Sequence, residues 1–120
     1  MNQDLQHIWE LYTSAWNAES ETDKLALFSA CLETECEYSD PVTKTKGWDD
    51  LLSYMQDFQQ QVPEGHIETC YFSSHNYQSI AKWEIKNKNN QILDNGISYG
   101  KYSTQGKLIS MSGFFEIPGS

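Results

Sequence analysis

The stretch Cys36–Trp48, CEYSDPVTKTKGW, divides the chain in two. It reads as a short apolar-edged strand, an Asp-Pro turn, a polar loop and a glycine that opens a helix. Pro41 has no N–H and drives Asp40 out of the α region, so the chain leaves the strand there in an extended or turn geometry. The residues before this stretch carry helical spacing, and those after its helix carry strand spacing. Asp40 is therefore expected where helices meet sheet, at the mouth of any cavity between them.

Upstream, Leu5, Ile8, Trp9, Tyr12, Ala15 and Trp16 recur at helical intervals, which predicts an amphipathic helix over about Asp4 to Asn17. Ser20 or Thr22 can cap a second helix whose stripe is Leu25, Phe28 and Leu32, ending near Thr34. A short strand, Cys36 to Ser39, follows. Gly47 then turns the chain into a third helix, with Asp49 and Asp50 in its first turn, where the helix dipole favours them. Trp48, Leu51, Leu52, Met55, Phe58 and Val62 form its apolar face, and Pro63 and Gly65 stop it.

From His66 on, the period changes to two. Ala81, Trp83 and Ile85 alternate with Lys82, Glu84 and Lys86, as in a strand with one buried face. Turns at Lys88-Asn89-Asn90 and Ser103 to Gly106 separate strands, giving four: about His66–Ser74, Tyr77–Asn87, Gln91–Tyr102 and Lys107–Ile117. Asp94-Asn95-Gly96 lies inside the third and suggests a bulge, where an inward Asp94 would add a second acid. Short connections make the sheet an antiparallel meander, and three helices before it make an α+β domain spanning residues 1–120.

The formal charge of −9, from 17 Asp and Glu against 8 Lys and Arg, argues against nucleic acid and anionic membrane partners. No apolar run approaches a membrane span, and the first residues lack a basic-then-apolar signal. Cys31, Cys36 and Cys70 are odd in number and form no C-x-x-C pair, which reads as reduced thiols in a cytoplasmic protein. His7, His66 and His75 are too scattered to suggest a metal, and Gly-rich phosphate loops are absent. No metal and no cofactor is expected.

The order of elements resembles the nuclear-transport-factor-2-like fold, a cone of helices on a strongly curved sheet, and within it the SnoaL-like polyketide cyclases and ketosteroid isomerases. The segments that carry the resemblance are Tyr12 to Ala18 (YTSAWNA), Leu25 to Phe28 (LALF), Tyr38 to Val42 (YSDPV) and Gly106 to Phe115 (GKLISMSGFF). The resemblance implies that Asp40 is a general base moving a proton beside a carbonyl, and that Tyr12 is an oxyanion donor. The second donor of the isomerases, a protonated carboxylic acid, falls on Ser98, which departs from that pattern. Met111, Gly113 and Phe115 fall on the apolar wall of the pocket, and Tyr54 on an aromatic wall.

The residues themselves support a related reading. A lone carboxylate at the rim of an apolar cavity loses hydration, which suits it to act as a base. On that view Asp40→Asn should stabilise the fold. Trp16, Tyr54, Phe58, Tyr71, Trp83, Phe114 and Phe115 supply rings for a flat apolar ligand, and His75 could be a second proton carrier. Against this, Asp before Pro also serves as a plain turn residue, and Tyr12 and the tryptophans also serve as core.

The expected function is therefore binding of a small apolar or aromatic molecule, with isomerase, cyclase or lyase chemistry on Asp40. The alternatives are a non-catalytic binder and a dimeric interaction module. The resemblance implies a homodimer through the outer sheet face, to which Tyr77, Tyr99 and Tyr102 would contribute.

Overall fold

A computed structural model describes residues 4–117. Its elements are α1 (Leu5–Asn17), α2 (Glu21–Cys31), β1 (Leu32–Asp40), β2 (Thr43–Lys46), α3 (Gly47–Gln61), β3 (His66–His75), β4 (Gln78–Lys86), β5 (Ile92–Tyr102) and β6 (Leu108–Phe114). Three helices and one curved, open six-stranded sheet make the α+β cone expected from the sequence, with strand order β2-β1-β6-β5-β4-β3.

Two features of the sheet correct the sequence reading. It is not wholly antiparallel, because β1 lies parallel to β6. The polar run after Pro41 is not a loop. Thr43 to Lys46 pairs antiparallel with β1 as the edge strand β2, and its outward Lys44 and Lys46 protect that edge from further pairing. The run TKTK carries no apolar alternation, so only its tertiary pairing reveals it.

The helix starts follow local chemistry. Asp4 accepts from the His7 N–H at 3.2 Å and Ser20 from the Asp23 N–H at 3.1 Å, each satisfying a donor that the first turn leaves free. Gly47 takes φ +82°, a left-handed conformation that glycine adopts at little cost, and so turns β2 into α3. Asn76 and Tyr77, both at positive φ, close the β3–β4 hairpin.

The C-terminal end of α1 is held from three sides. Lys24, fully buried, donates its ammonium to the carbonyls of Ala15 at 2.7 Å and Ala18 at 2.6 Å. Gln59 of α3 donates to the carbonyls of Trp16 at 3.2 Å and Ala18 at 2.6 Å. A cation there complements the negative end of the helix dipole and satisfies carbonyls the helix cannot. Burial pushes the Lys24 ammonium below its usual range. The Asn17 amide pairs with both backbone groups of Ile67, at 2.9 and 2.8 Å, and so covers part of the other sheet edge, β3.

These clamps fix the face of α1 that carries Trp9, Tyr12, Ala15 and Trp16 against the sheet, where they join Phe28, Leu32, Leu51, Met55, Leu108 and Met111 in the core. Fully burying one such large apolar side chain stabilises the fold by about 1.5–3 kcal/mol. Among the described residues no helix is long and apolar enough to cross a membrane.

Strand alternation decides what faces outward. Tyr102 was expected on the outer face, but it shares parity with Ser98 and Gly100, is buried, and bonds Ser79 across the sheet at 2.8 Å. Tyr99, one residue over in phase, points outward and donates to Gln78 at 2.7 Å. Asp94-Asn95-Gly96 keeps regular register, and the irregularity lies at Leu93, opposite the Ile85–Lys86 step.

The three cysteines are free, with Cys31 and Cys36 buried and Cys70 exposed. Burial pushes the Cys31 thiol up to about 12 and the Cys36 thiol up to about 11. Since the thiolate is the reacting form, an aromatic disulfide reagent should modify one thiol of the native protein, Cys70, and all three in denaturant. Rapid reaction of a second thiol under native conditions would contradict this packing.

Candidate functional site

A cavity of about 360 Å³ opens between α1, α3 and the concave face of the sheet. That volume lies within the range of small-molecule pockets. Helix α1 contributes Trp9, Tyr12, Thr13 and Trp16, and α3 contributes Tyr54, Asp57, Phe58 and Gln61 at successive helical turns. From the sheet come Tyr38, Asp40, Ile67, Thr69, Trp83, Ile85, Asp94 and Ser98, with Phe115 just beyond β6.

Asp40 is the polar centre of this cavity. Its Oδ1 accepts from the backbone N–H groups of Val42 at 2.9 Å and Thr43 at 3.1 Å, the turn that Pro41 sets up. Its Oδ2 accepts from the hydroxyls of Tyr38 and Tyr54, both at 2.6 Å. The carboxylate is thus not the lone, poorly solvated group expected from the sequence. It combines the turn role with a place in the cavity wall. Burial, together with the bond to and charge of Asp40, pushes the Tyr38 and Tyr54 hydroxyls well above the usual tyrosine range.

The rings around this centre form an edge-to-face cluster. Trp16 stands 5.7 Å from Tyr38, 5.9 Å from Tyr54 and 5.6 Å from Phe58, the last two nearly perpendicular. Tyr12 is 3 % exposed, and burial pushes its hydroxyl well above the usual range. Across the cavity Trp83 donates its indole N–H to the Ser98 hydroxyl at 2.9 Å and meets Phe115 edge-on at 6.1 Å. Gly96 makes this possible: a Cβ there would lie 2.3 Å from the Trp83 ring.

The structure brings together Asp40, Tyr12, Ser98, Trp16, Tyr54, Phe58, Trp83 and Phe115 of the expected site residues. Gly113 sits in the floor among them, its missing Cβ 3.5 Å from the Tyr38 hydroxyl, 3.6 Å from the Asp40 Cβ and 3.7 Å from Ser98 Oγ. Met111 lies deeper, buried in the core beside Tyr38 instead of on the wall.

Tyr71 and His75 are displaced for one reason. A bulge at Cys70 breaks the alternation of β3, so Thr69 pairs with Trp83 but Tyr71 pairs with the outward Lys82. Tyr71 is half exposed under the Lys82 ammonium, 5.6 Å from its ring centre. His75, in phase with it, lies exposed against Asn76 in a shallow outer hollow with Tyr71, Gln78, Ile80 and Tyr99. It does not meet Asp40. Phe114 is also outward, since it and Phe115 alternate.

Sequence reasoning missed Tyr38, Thr13, Thr69 and Asp57. Tyr38 stands two residues before Asp40 on the same strand face, and Asp57 one turn after Tyr54, so both signals were present.

No protein-family model matches the chain, and no curated protein matches it by sequence. Solved structures do match. A candidate isomerase of the SnoaL-like family from Agrobacterium tumefaciens superposes with TM-score 0.87 at 19% identity, covering 98% of this chain and 100% of that one. The fold is that of the SnoaL-like proteins. A candidate SnoaL-like polyketide cyclase from Jannaschia sp. CCS1 gives TM-score 0.76 at 9% identity, over 95% of this chain and 85% of that one. A cystatin-like fold protein from Methylobium petroleophilum gives 0.80 at 11%, over 100% and 81%. At these identities the SnoaL-like likeness establishes the fold alone.

The four bonds to Asp40 reverse the stability effect expected from sequence. In Asp40→Asn the amide can keep one oxygen on the Val42 and Thr43 N–H groups, but its NH2 then meets two hydroxyl protons. Hydrogen bonds to a charged acceptor are worth about 1.5–3 kcal/mol each, so the variant should lose roughly 2 kcal/mol. A thermal melt at pH 7 should show Tm lower by about 5–10 °C. An unchanged or raised Tm would mean that these bonds do not form.

Proposed function

We propose that the protein binds a small, largely apolar carbonyl compound in this cavity and moves a proton on it, as an isomerase or cyclase would, without a cofactor. The observation that carries the reading is Asp40 in the wall of a ligand-sized aromatic cavity, linked to it by the Tyr38 and Tyr54 hydroxyls. A base whose two oxygens are occupied works through a tyrosine: the substrate C–H proton passes to the Tyr54 oxygen as the Tyr54 proton passes to Asp40. The phenol is never left ionised, which agrees with its raised pKa. Tyr12, also in the cavity lining, donates to the carbonyl oxygen as charge develops there. The names of the Agrobacterium and Jannaschia structures, candidate isomerase and candidate polyketide cyclase, agree with this class of reaction.

A second reading, binding without chemistry, is favoured by the same full set of donors on Asp40. Proton exchange separates the two. In D2O, the protein should speed deuterium uptake beside the carbonyl of a cyclic ketone, followed by proton NMR. Asp40→Asn should abolish the effect, and Tyr12→Phe should reduce it by about 10–100-fold. Ketone binding with no exchange above buffer would leave the binder as the function.

We also propose a homodimer formed through the outer sheet face, in a cytoplasmic protein whose free cysteines suit a reducing setting. Tyr71, Ile80, Ile97 and Phe114 leave 43–61% of their surface exposed there, on adjacent strands. Sedimentation at micromolar concentration should give about twice the chain mass of 13.8 kDa, and Ile97→Asp should return the monomer. A wild-type species at the monomer mass would refute it.

A further inference from the structure

We propose that the molecule this cavity selects carries a protonated amine on its apolar skeleton. The inference deepens the reading above and rests on the cavity being a ligand site. Three of the lining side chains are carboxylates, Asp40, Asp57 and Asp94, and none is Lys, Arg or His. Asp57 on α3 is exposed and so lies at the rim, and Asp94 on β5 is half-buried. Asp94 Oδ1 accepts from the Asn95 N–H at 2.8 Å, and its Oδ2 has no partner among the described residues.

The direction of the hydrogen bonds adds an independent reason. Tyr38 and Tyr54 commit their hydroxyl protons to Asp40, so what each oxygen can still offer is a lone pair. The Tyr54 lone pair serves the reacting C–H in the reading above; an ammonium supplies the N–H donor that the Tyr38 oxygen accepts, and the Asp40 charge behind it strengthens the bond. Trp16, Tyr54 and Phe58 line the same space, and aromatic rings attract a cation through their quadrupoles. Tyr12, 3 % exposed in the lining, has a hydroxyl proton with no acceptor among the described residues, which leaves a donor for the carbonyl end of the same molecule.

An anionic ligand would meet three carboxylates and no cation. A neutral one would leave the Asp57 and Asp94 charges unused. The net charge of −9 further concentrates cations around the protein.

Three probes that share a naphthylmethyl skeleton decide the matter: 1-naphthylmethylamine, 1-naphthylmethanol and the 1-naphthaleneacetate anion, titrated calorimetrically into the intact protein at pH 7 and low salt. The amine should bind about tenfold tighter than the alcohol, and the acetate weakest of all. In the double variant Asp57→Asn, Asp94→Asn the amine-to-alcohol ratio should fall severalfold, and in the unaltered protein 1 M salt should lower it likewise. Alcohol binding as tight as amine binding overturns the amine preference and leaves the ligand site standing. A preference that survives both the double variant and high salt overturns the role of the rim carboxylates. If none of the three binds, the ligand-site reading falls and this inference with it.

Discussion

Two backbone N–H groups and two tyrosine hydroxyls converge on the carboxylate of Asp40, and the upper half of the cone depends on that meeting point. The backbone donors shape the turn that sends β2 back along β1. Tyr38 comes from β1 itself and Tyr54 from α3, so one side chain ties a strand, a turn and a helix together. Such a set of bonds to a charge is stronger than an equal number of neutral ones. It also holds Tyr54 where α3 must stand off from the sheet, and that spacing is the cavity.

The other end of the cavity is held by a charge of opposite sign. Lys24 and Gln59 saturate the last carbonyls of α1, which places the Trp9–Tyr12–Trp16 face over the concave sheet. A buried ammonium without a carboxylate would be costly, and the carbonyls at the helix terminus supply the compensation. Aromatic rings packed edge to face then fill the walls without closing the space, because T-shaped contacts keep ring centres about 5–6 Å apart. Cation and carboxylate are thus divided: the Lys24 ammonium holds the end of α1, and the carboxylates of Asp40, Asp57 and Asp94 line the cavity.

The fold was legible because the helices have clear stripes and β4 alternates without interruption. Asp40-Pro41 marked the hinge, as turn chemistry requires. Two strand pairings escaped, for different reasons. The parallel pairing of β1 with β6 depends on a partner distant in sequence, whereas β2 pairs with its neighbour β1 but has no apolar alternation to mark it as a strand. A single bulge at Cys70 sent Tyr71 and His75 to the outer face, and nothing in the stretch His66 to His75 marks it. The cavity lining was legible at Asp40, Trp16, Tyr54 and Trp83, whose phase is fixed by regular elements. Tyr102 and Phe114 were misplaced for a different reason, since strict alternation with Ser98 and Phe115 already assigned their faces. Asp40 itself was read as either turn residue or cavity carboxylate, and its two oxygens make it both.

The most direct test of the account is a crystal structure of the protein purified gently enough to keep its own small molecules. Density for a bound molecule is expected within hydrogen-bond distance of the Tyr38 or Tyr54 hydroxyl, with both hydroxyls still on Asp40. A cavity closed by the protein's own side chains, with Trp83 or Phe115 packed onto Tyr54, would contradict it.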